Sequence, residues 1–134
     1  MKSVCSLLFF VLCSIGSAQV VTSTQGHKIM IFGGDDHKTY LGCLSCNNYQ
    51  SDSVLNKFGA YGSRFQSESI FNTYGSFGSR YSSNSPCNPY ASDPTVIVDE
   101  DGNFYGRLTV NLMHPQLVRN ESLQAWIKGV CAKD

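Results

Sequence analysis

Four patterns of hydrophobic and polar positions succeed one another along the chain. The first is an apolar run from Leu7 to Leu12, preceded by the single charge of Lys2 and followed by Gly16-Ser17-Ala18. A charged start, a short apolar stretch and small residues at the first and third positions before a break predict an export leader over residues 1–18, cleaved after Ala18. The run is shorter than the ~20 apolar residues a bilayer-crossing helix needs. The mature chain is expected over residues 19–134 as one domain, with no membrane span after leader removal and a secreted or periplasmic destination.

The second pattern occurs twice. Ile29-Met30-Ile31-Phe32 and Tyr40 to Asn47 flank Gly33-Gly34-Asp35-Asp36, and Val96-Ile97-Val98 and Phe104 to Asn111 flank Asp99-Glu100-Asp101-Gly102. β-prone runs around a Gly/Asp turn predict two hairpins. An isolated hairpin is marginal in water, so the two are expected to pack together or join one small sheet. Leu44 and Cys46, and likewise Leu108 and Val110, are expected to face its core.

Between the hairpins lies a third pattern with a period of 16 residues. Ser53-Val54-Leu55-Asn56-Lys57-Phe58-Gly59 returns as Ser69-Ile70-Phe71-Asn72-Thr73-Tyr74-Gly75 and, degraded, as Ser85-Pro86-Cys87-Asn88-Pro89-Tyr90-Ala91. The first two copies also share Gly-Ser-Arg-aromatic at Gly62 to Phe65 and Gly78 to Tyr81. Gly59 and Gly62 in the first copy, at roughly 1 kcal/mol apiece in a helix interior, argue against a long helix. The expectation is a short turn opened by Ser53 or Ser69, equivalent turns held by Asn56, Asn72 and Asn88, and aromatic rings stacking from copy to copy across residues 53–95. Pro86 and Pro89 mark the third copy as a terminating one.

The last pattern is helical. Leu123, Trp126, Ile127, Val130 and Cys131 form one apolar stripe, with Asn120 placed to cap it. The predicted class is α+β: a small β-rich domain of two hairpins with a 16-residue-repeat insert and a C-terminal helix, stapled by disulfides.

The segment from about Tyr40 to Asn111 resembles a group of small exported bacterial proteins. They carry Ser-x-Ser-Ile/Val-x-Asn-x-Tyr/Phe-Gly-x-Tyr/Phe-Gly-Ser repeats between Tyr-Leu-Gly-x-Leu and Tyr-Gly-x-Leu-Thr-Val-Asn segments. The resemblance implies export and repeated units, and carries no activity with it.

Export decides how the cysteines are read. Cys5 and Cys13 fall in the leader, leaving Cys43, Cys46, Cys87 and Cys131 as two disulfides with three possible connectivities. If residues 40–46 form one strand, the Cα atoms of Cys43 and Cys46 stand ~10 Å apart, too far to bridge. Two connectivities then remain; Cys46 shares a face with Leu44 and Cys43 points the other way, and the expected pairs are Cys46 with Cys87 and Cys43 with Cys131. The competing readings are a redox dithiol at Cys43-x-x-Cys46, which lacks a helix behind it, and a zinc site drawing on Cys87, Cys131 or His114.

The composition narrows the function classes. The 134 residues carry 10 Lys+Arg and 10 Asp+Glu, 15% charged in all, scattered along the chain. No basic stripe is present for nucleic acid. A calcium loop starting at Asp99 fails at its twelfth position, which is Val110 instead of Glu. No Gly-x-Ser-x-Gly elbow or metal-ligand motif occurs around His27, His37 or His114, so no cofactor and no catalytic residue are assigned. A small hydrolase would have to be assembled from Asp35, His37 and His114. The surface expected to carry function is the repeat region, with Tyr61, Tyr74, Phe77 and Tyr81 as contact residues toward an envelope or extracellular protein or a glycan. The opposing reading, in which those rings fill the core between copies, stays open at this point.

Overall fold

The computed structural model describes residues 27–133. The expected leader, its cleavage site and Gln19 lie outside the described residues. Two hairpins, β1 (Ile29–Gly33) with β2 (Thr39–Cys43) and β3 (Thr95–Asp99) with β4 (Phe104–Leu108), join in one antiparallel sheet of order β2-β1-β3-β4. A single helix, α1 (Glu121–Cys131), closes the chain. The α+β class expected from the residues is the architecture observed.

The two hairpins meet about a local twofold axis. Ile31 pairs with Ile97, Met30 with Val98 and Phe32 with Val96, and the register shifts immediately after Ile31 in one hairpin and after Ile97 in the other. Opposite those residues stand Gly42 and Gly106, with φ of 117° and 119°. Only glycine takes that backbone at no steric cost, and at both sites a Cβ would also meet neighbouring atoms, Val54 Cγ1 at 2.7 Å and Val118 Cα at 2.8 Å.

Past each bulge the outer strand is closed off in the same way. Cys43 N–H donates to Asp52 O (2.7 Å) and accepts at its carbonyl from Val54 N–H (3.1 Å), while Arg107 N–H donates to Gln116 O (2.7 Å) and accepts from Val118 N–H (2.9 Å). Each hairpin thus covers its own edge with the segment that follows it, which removes unpaired edge groups from solvent.

One face of this sheet supplies the core. Ile31, Leu41, Ile97 and Leu108 meet Val54 and Ile70 from the insert, and Val118 and Ile127 from the C-terminal segment, all 3% exposed or less. Burying such a side chain contributes about 1.5–3 kcal/mol. Leu44 and Val110 pack against this cluster and Cys46 is buried, as expected, but all three lie beyond the ends of β2 and β4, so strand alternation is not what turns them inward.

The disulfide pairing differs from expectation. Cys43 is bonded to Cys46, with Cα atoms 5.5 Å apart, and Cys87 to Cys131. The expected pairs Cys46–Cys87 and Cys43–Cys131 rested on a strand running through residue 46. That strand ends at Cys43: Leu44 N–H still donates to Ile29 O (2.7 Å), but the Ser45 hydroxyl accepts from Ile29 N–H (2.9 Å), and the chain bends so that residue 46 returns within bridging distance.

Helix α1 forms as its stripe predicts. Asn120 Oδ1 accepts from Leu123 N–H (3.0 Å), Ile127 is fully buried, and the Trp126 ring meets Phe71 edge-on with centroids 6.3 Å apart. The Cys87–Cys131 bond ties the helix to the third copy of the insert. Pro86 O there accepts from Val110 N–H (2.8 Å), so the degraded copy is where the insert rejoins the sheet.

The candidate ring-bearing surface

Residues 44–94 form turns with no helix, and the same hydrogen bonds return every 16 residues. Ser53, Ser69 and Ser85 are fully buried. Their hydroxyls accept from the N–H of Leu55 (3.0 Å), Phe71 (3.1 Å) and Cys87 (3.0 Å). Asn56, Asn72 and Asn88 each make two side-chain bonds. The amide nitrogen donates back six residues to the carbonyls of Gln50 (3.1 Å), Gln66 (3.1 Å) and Ser82 (3.0 Å). The amide oxygen accepts from the N–H of Phe58 (3.0 Å), Tyr74 (3.0 Å) and Tyr90 (2.9 Å). Self-bonding of Asn and Ser to backbone two residues on is the reason these residue types make turns.

A second set of turns falls midway between the first. Asn47 Oδ1 accepts from Tyr49 N–H (2.9 Å), Ser63 Oγ from Phe65 N–H (3.1 Å) and Ser79 Oγ from Tyr81 N–H (3.1 Å). The six turns begin at residues 47, 56, 63, 72, 79 and 88, alternating steps of nine and seven. In every one the residue two positions on is aromatic, and all six of these residues are 88% exposed or more. They form two columns at 16-residue spacing: Tyr49, Phe65 and Tyr81, and Phe58, Tyr74 and Tyr90. Among the described residues none of the six contacts another ring.

The four expected contact residues divide accordingly. Tyr74 and Tyr81 belong to the exposed columns, whereas Tyr61 and Phe77 turn toward the sheet. Tyr61 lies edge-on against Tyr40, centroids 5.1 Å apart, and Phe77 packs on the core beside Gly33. The expected stacking of rings from copy to copy is replaced by aliphatic packing of Val54 and Ile70 inside and rings outside. Sequence reasoning missed Tyr49, Phe58, Phe65 and Tyr90. The separating signal is the residue two positions earlier, Asn or Ser before each exposed ring but Gly59 and Gly75 before Tyr61 and Phe77. Phe71 is the exception: it follows a turn serine, Ser69, which is itself buried, and its ring lies against Trp126.

Polar clusters near the sheet act as ties. Tyr40 OH donates to Asp52 Oδ2 (2.7 Å), which also pairs with Lys28 Nζ (2.7 Å). The Lys28 and Tyr40 hydrogen bonds hold the Asp52 carboxyl below its ordinary value against a smaller opposing effect of burial. Burial and the Asp52 hydrogen bond push the Tyr40 phenol well above its ordinary value. On the sheet face opposite the Ile31 core, an open groove of about 600 Å³ is lined by Phe32, Val96, Val98, Phe104 and the polar residues His37, Lys38, Arg107 and Gln116.

At the end of that groove Asp93 Oδ1 accepts from Arg107 Nη1 (2.8 Å) and lies 2.6 Å from His37 Nε2. Burial would raise the Asp93 carboxyl, but the Arg107 and His37 hydrogen bonds and charges outweigh it and hold the carboxyl low. His37 takes φ of 58° to reach this position. The cluster pins the β1–β2 turn and the end of the insert to β4.

The hydrolase trio does not assemble. Asp35 accepts from Asn84 (3.1 Å), His37 pairs with Asp93, and His114 Nδ1 accepts from Gln116 N–H (3.1 Å). No hydrogen bond joins any two of the three among the described residues. The zinc reading loses its thiolates, since all four cysteines are bonded in pairs.

His27, Asp99 and Asp101 bring three ligand atoms within 4.8 Å of one another. The Asp99 oxygens, however, already accept from Asp101 N–H, Asn103 N–H, Asn103 Nδ2 and Tyr105 OH. Four donors fill the acceptor sites of a carboxylate and hold this one far below its ordinary value, which makes Asp99 a turn organiser. Among the described residues no helix is long and apolar enough to cross a membrane. Comparison with protein-family models, with curated proteins and with solved structures finds no match to this chain.

Proposed function

We propose that this chain is an exported, non-enzymatic binding protein of the periplasm, cell surface or medium, which contacts its partner through the Tyr/Asn/Ser/Gly-rich turns of its insert. One observation carries the reading: six aromatic residues at least 88% exposed, each following a turn whose side chain is hydrogen-bonded to that residue's own N–H. Apolar area left in water on a rigid frame is the mark of an interaction surface, and rings set among Ser, Asn and Gly form a contact surface that loses little conformational entropy on binding. Export is supported by the leader-like residues 1–18 and by the resemblance to small exported bacterial proteins. Two disulfides are compatible with an oxidising compartment.

The test compares the mature protein with the double variant Tyr74→Ser, Tyr81→Ser for retention on the envelope fraction of the producing cells. Binding is expected to vanish while the melting temperature holds, since neither ring touches another. Tyr61→Ser should instead lower stability through its lost contact with Tyr40. Full retention by the double variant refutes the reading.

A further inference from the structure

We infer that the partner engaged by the column Phe58, Tyr74 and Tyr90 is a linear, uncharged polysaccharide, whose sugar rings lie flat on the three aromatic faces. This rests on the binding reading above and names its ligand class.

The first argument is chemical equivalence. The three residues hold the same place in three successive turns, accepted by Asn56, Asn72 and Asn88 at 2.9–3.0 Å. Yet one is Phe and two are Tyr, so the position demands a planar ring and makes no use of the hydroxyl. The other column mixes the two in the same way, with Phe65 between Tyr49 and Tyr81. A surface selecting for ring faces suits a ligand that presents flat apolar faces, and the C–H face of a pyranose, with its hydroxyls turned to the edge, is such a partner.

The second is charge. The residue preceding each ring is Lys57, Thr73 or Pro89, so no charge recurs with the ring. Stacking of nucleic acid bases on aromatic platforms comes with a basic groove that tracks the phosphates, whereas Lys57 is the one cation among the three residues that precede these rings. A neutral ligand matches.

The third is regularity. Rings returning every 16 residues, in turns that share one hydrogen-bond set, match a ligand with a repeating unit better than the irregular surface of a globular partner. The Asn column is also the better pinned of the two. Each of its asparagines bonds both forward to the ring residue and back six residues, whereas Ser63 and Ser79 bond forward, to Phe65 and Tyr81 N–H. Less motion remains to be frozen when ligand binds, which favours affinity.

The experiment uses the oxidised mature protein in affinity electrophoresis through gels containing a soluble neutral β-glucan, with alginate as the acidic control, and in sedimentation with insoluble cellulose and chitin. A neutral glycan should retard or sediment the wild type, and alginate should not. Phe58→Ala/Tyr74→Ala/Tyr90→Ala should weaken binding by about tenfold or more, as expected when three ring contacts are removed. Tyr74→Phe/Tyr90→Phe should leave binding unchanged, and Tyr49→Ala/Phe65→Ala/Tyr81→Ala should change it less than the first triple variant. Thermal melts of all variants should match the wild type. Binding lost in the Tyr→Phe variant, or kept in the first triple variant, overturns the inference. If no neutral glycan binds while envelope retention persists and still needs Tyr74 and Tyr81, the glycan inference fails and the binding reading stands. Retention by neither overturns both.

Discussion

Asn72 is the residue on which local structure and the exposed surface depend together. Truncation in Asn72→Ala removes the donation to Gln66 O (3.1 Å) and the acceptance from Tyr74 N–H (3.0 Å). Each protein hydrogen bond contributes about 0.5–1.5 kcal/mol net, so the expected loss is about 1–3 kcal/mol. At about 4 °C per kcal/mol for a domain of this size, circular dichroism melts under oxidising conditions should show a fall of roughly 4–12 °C. Asn72→Asp keeps the acceptor and loses the donor, and should give about half that loss. Lys57→Ala, an exposed position in the preceding copy, serves as control and should not shift the melt. Because the same side chain orients Tyr74, Asn72→Ala should also weaken ligand retention. A melt of Asn72→Ala within about 1 °C of wild type would mean that the recurring side-chain bonds do not hold the turns, and the account of the insert would fall with it.

Four further outcomes follow from the same structure. Loss of the Cys87–Cys131 bond, which spans 44 residues, should cost about 4 kcal/mol and loss of Cys43–Cys46 about 2 by the loop-entropy relation; denaturant melts of the two Cys→Ser pairs rank them, and a larger loss from the Cys43–Cys46 pair contradicts the topology. Gly78→Ala should be strongly destabilised, because its Cβ would overlap the backbone carbonyl of Asn72, which cannot yield as a side-chain tip would; a soluble variant melting like wild type would count against that packing. Ile70→Ala, at 1% exposure in the core, should lose about 2–5 kcal/mol, measured by urea unfolding. Asp52 and Asp93 have folded-state values below their ordinary ones, so their stabilisation is present above the unfolded carboxylate value and drains away as pH falls from about 5 through the folded values; Asp52→Asn should flatten that acid loss, and an unchanged melting profile against pH would exclude its ion pair as a contributor.

Much of the architecture was legible because it is written in local chemistry. Alternating apolar positions around Gly/Asp turns specify the hairpins, an apolar stripe behind Asn120 specifies α1, and Ser/Asn self-bonding specifies where the insert turns. The parallel between the two hairpins, visible as a similarity of residues, becomes a physical twofold centred on Ile31 and Ile97. Within the insert the exposed rings were legible in principle as well, since an Asn or Ser acceptor two residues earlier marks each of them and Gly marks Tyr61 and Phe77, with Phe71 after Ser69 as the exception.

Tertiary structure alone decided the rest. Disulfide partners depend on where β2 stops: beyond Cys43 the Ser45 hydroxyl takes the Ile29 N–H of β1 (2.9 Å), and the chain bends until Cys46 meets Cys43. The inward course of Tyr61 and Phe77 depends on a sheet surface made by residues from both ends of the chain. Short-range hydrogen bonding fixes what each turn is, whereas long-range packing decides which rings are covered, as Phe71 shows by following a turn serine yet lying against Trp126 of the helix.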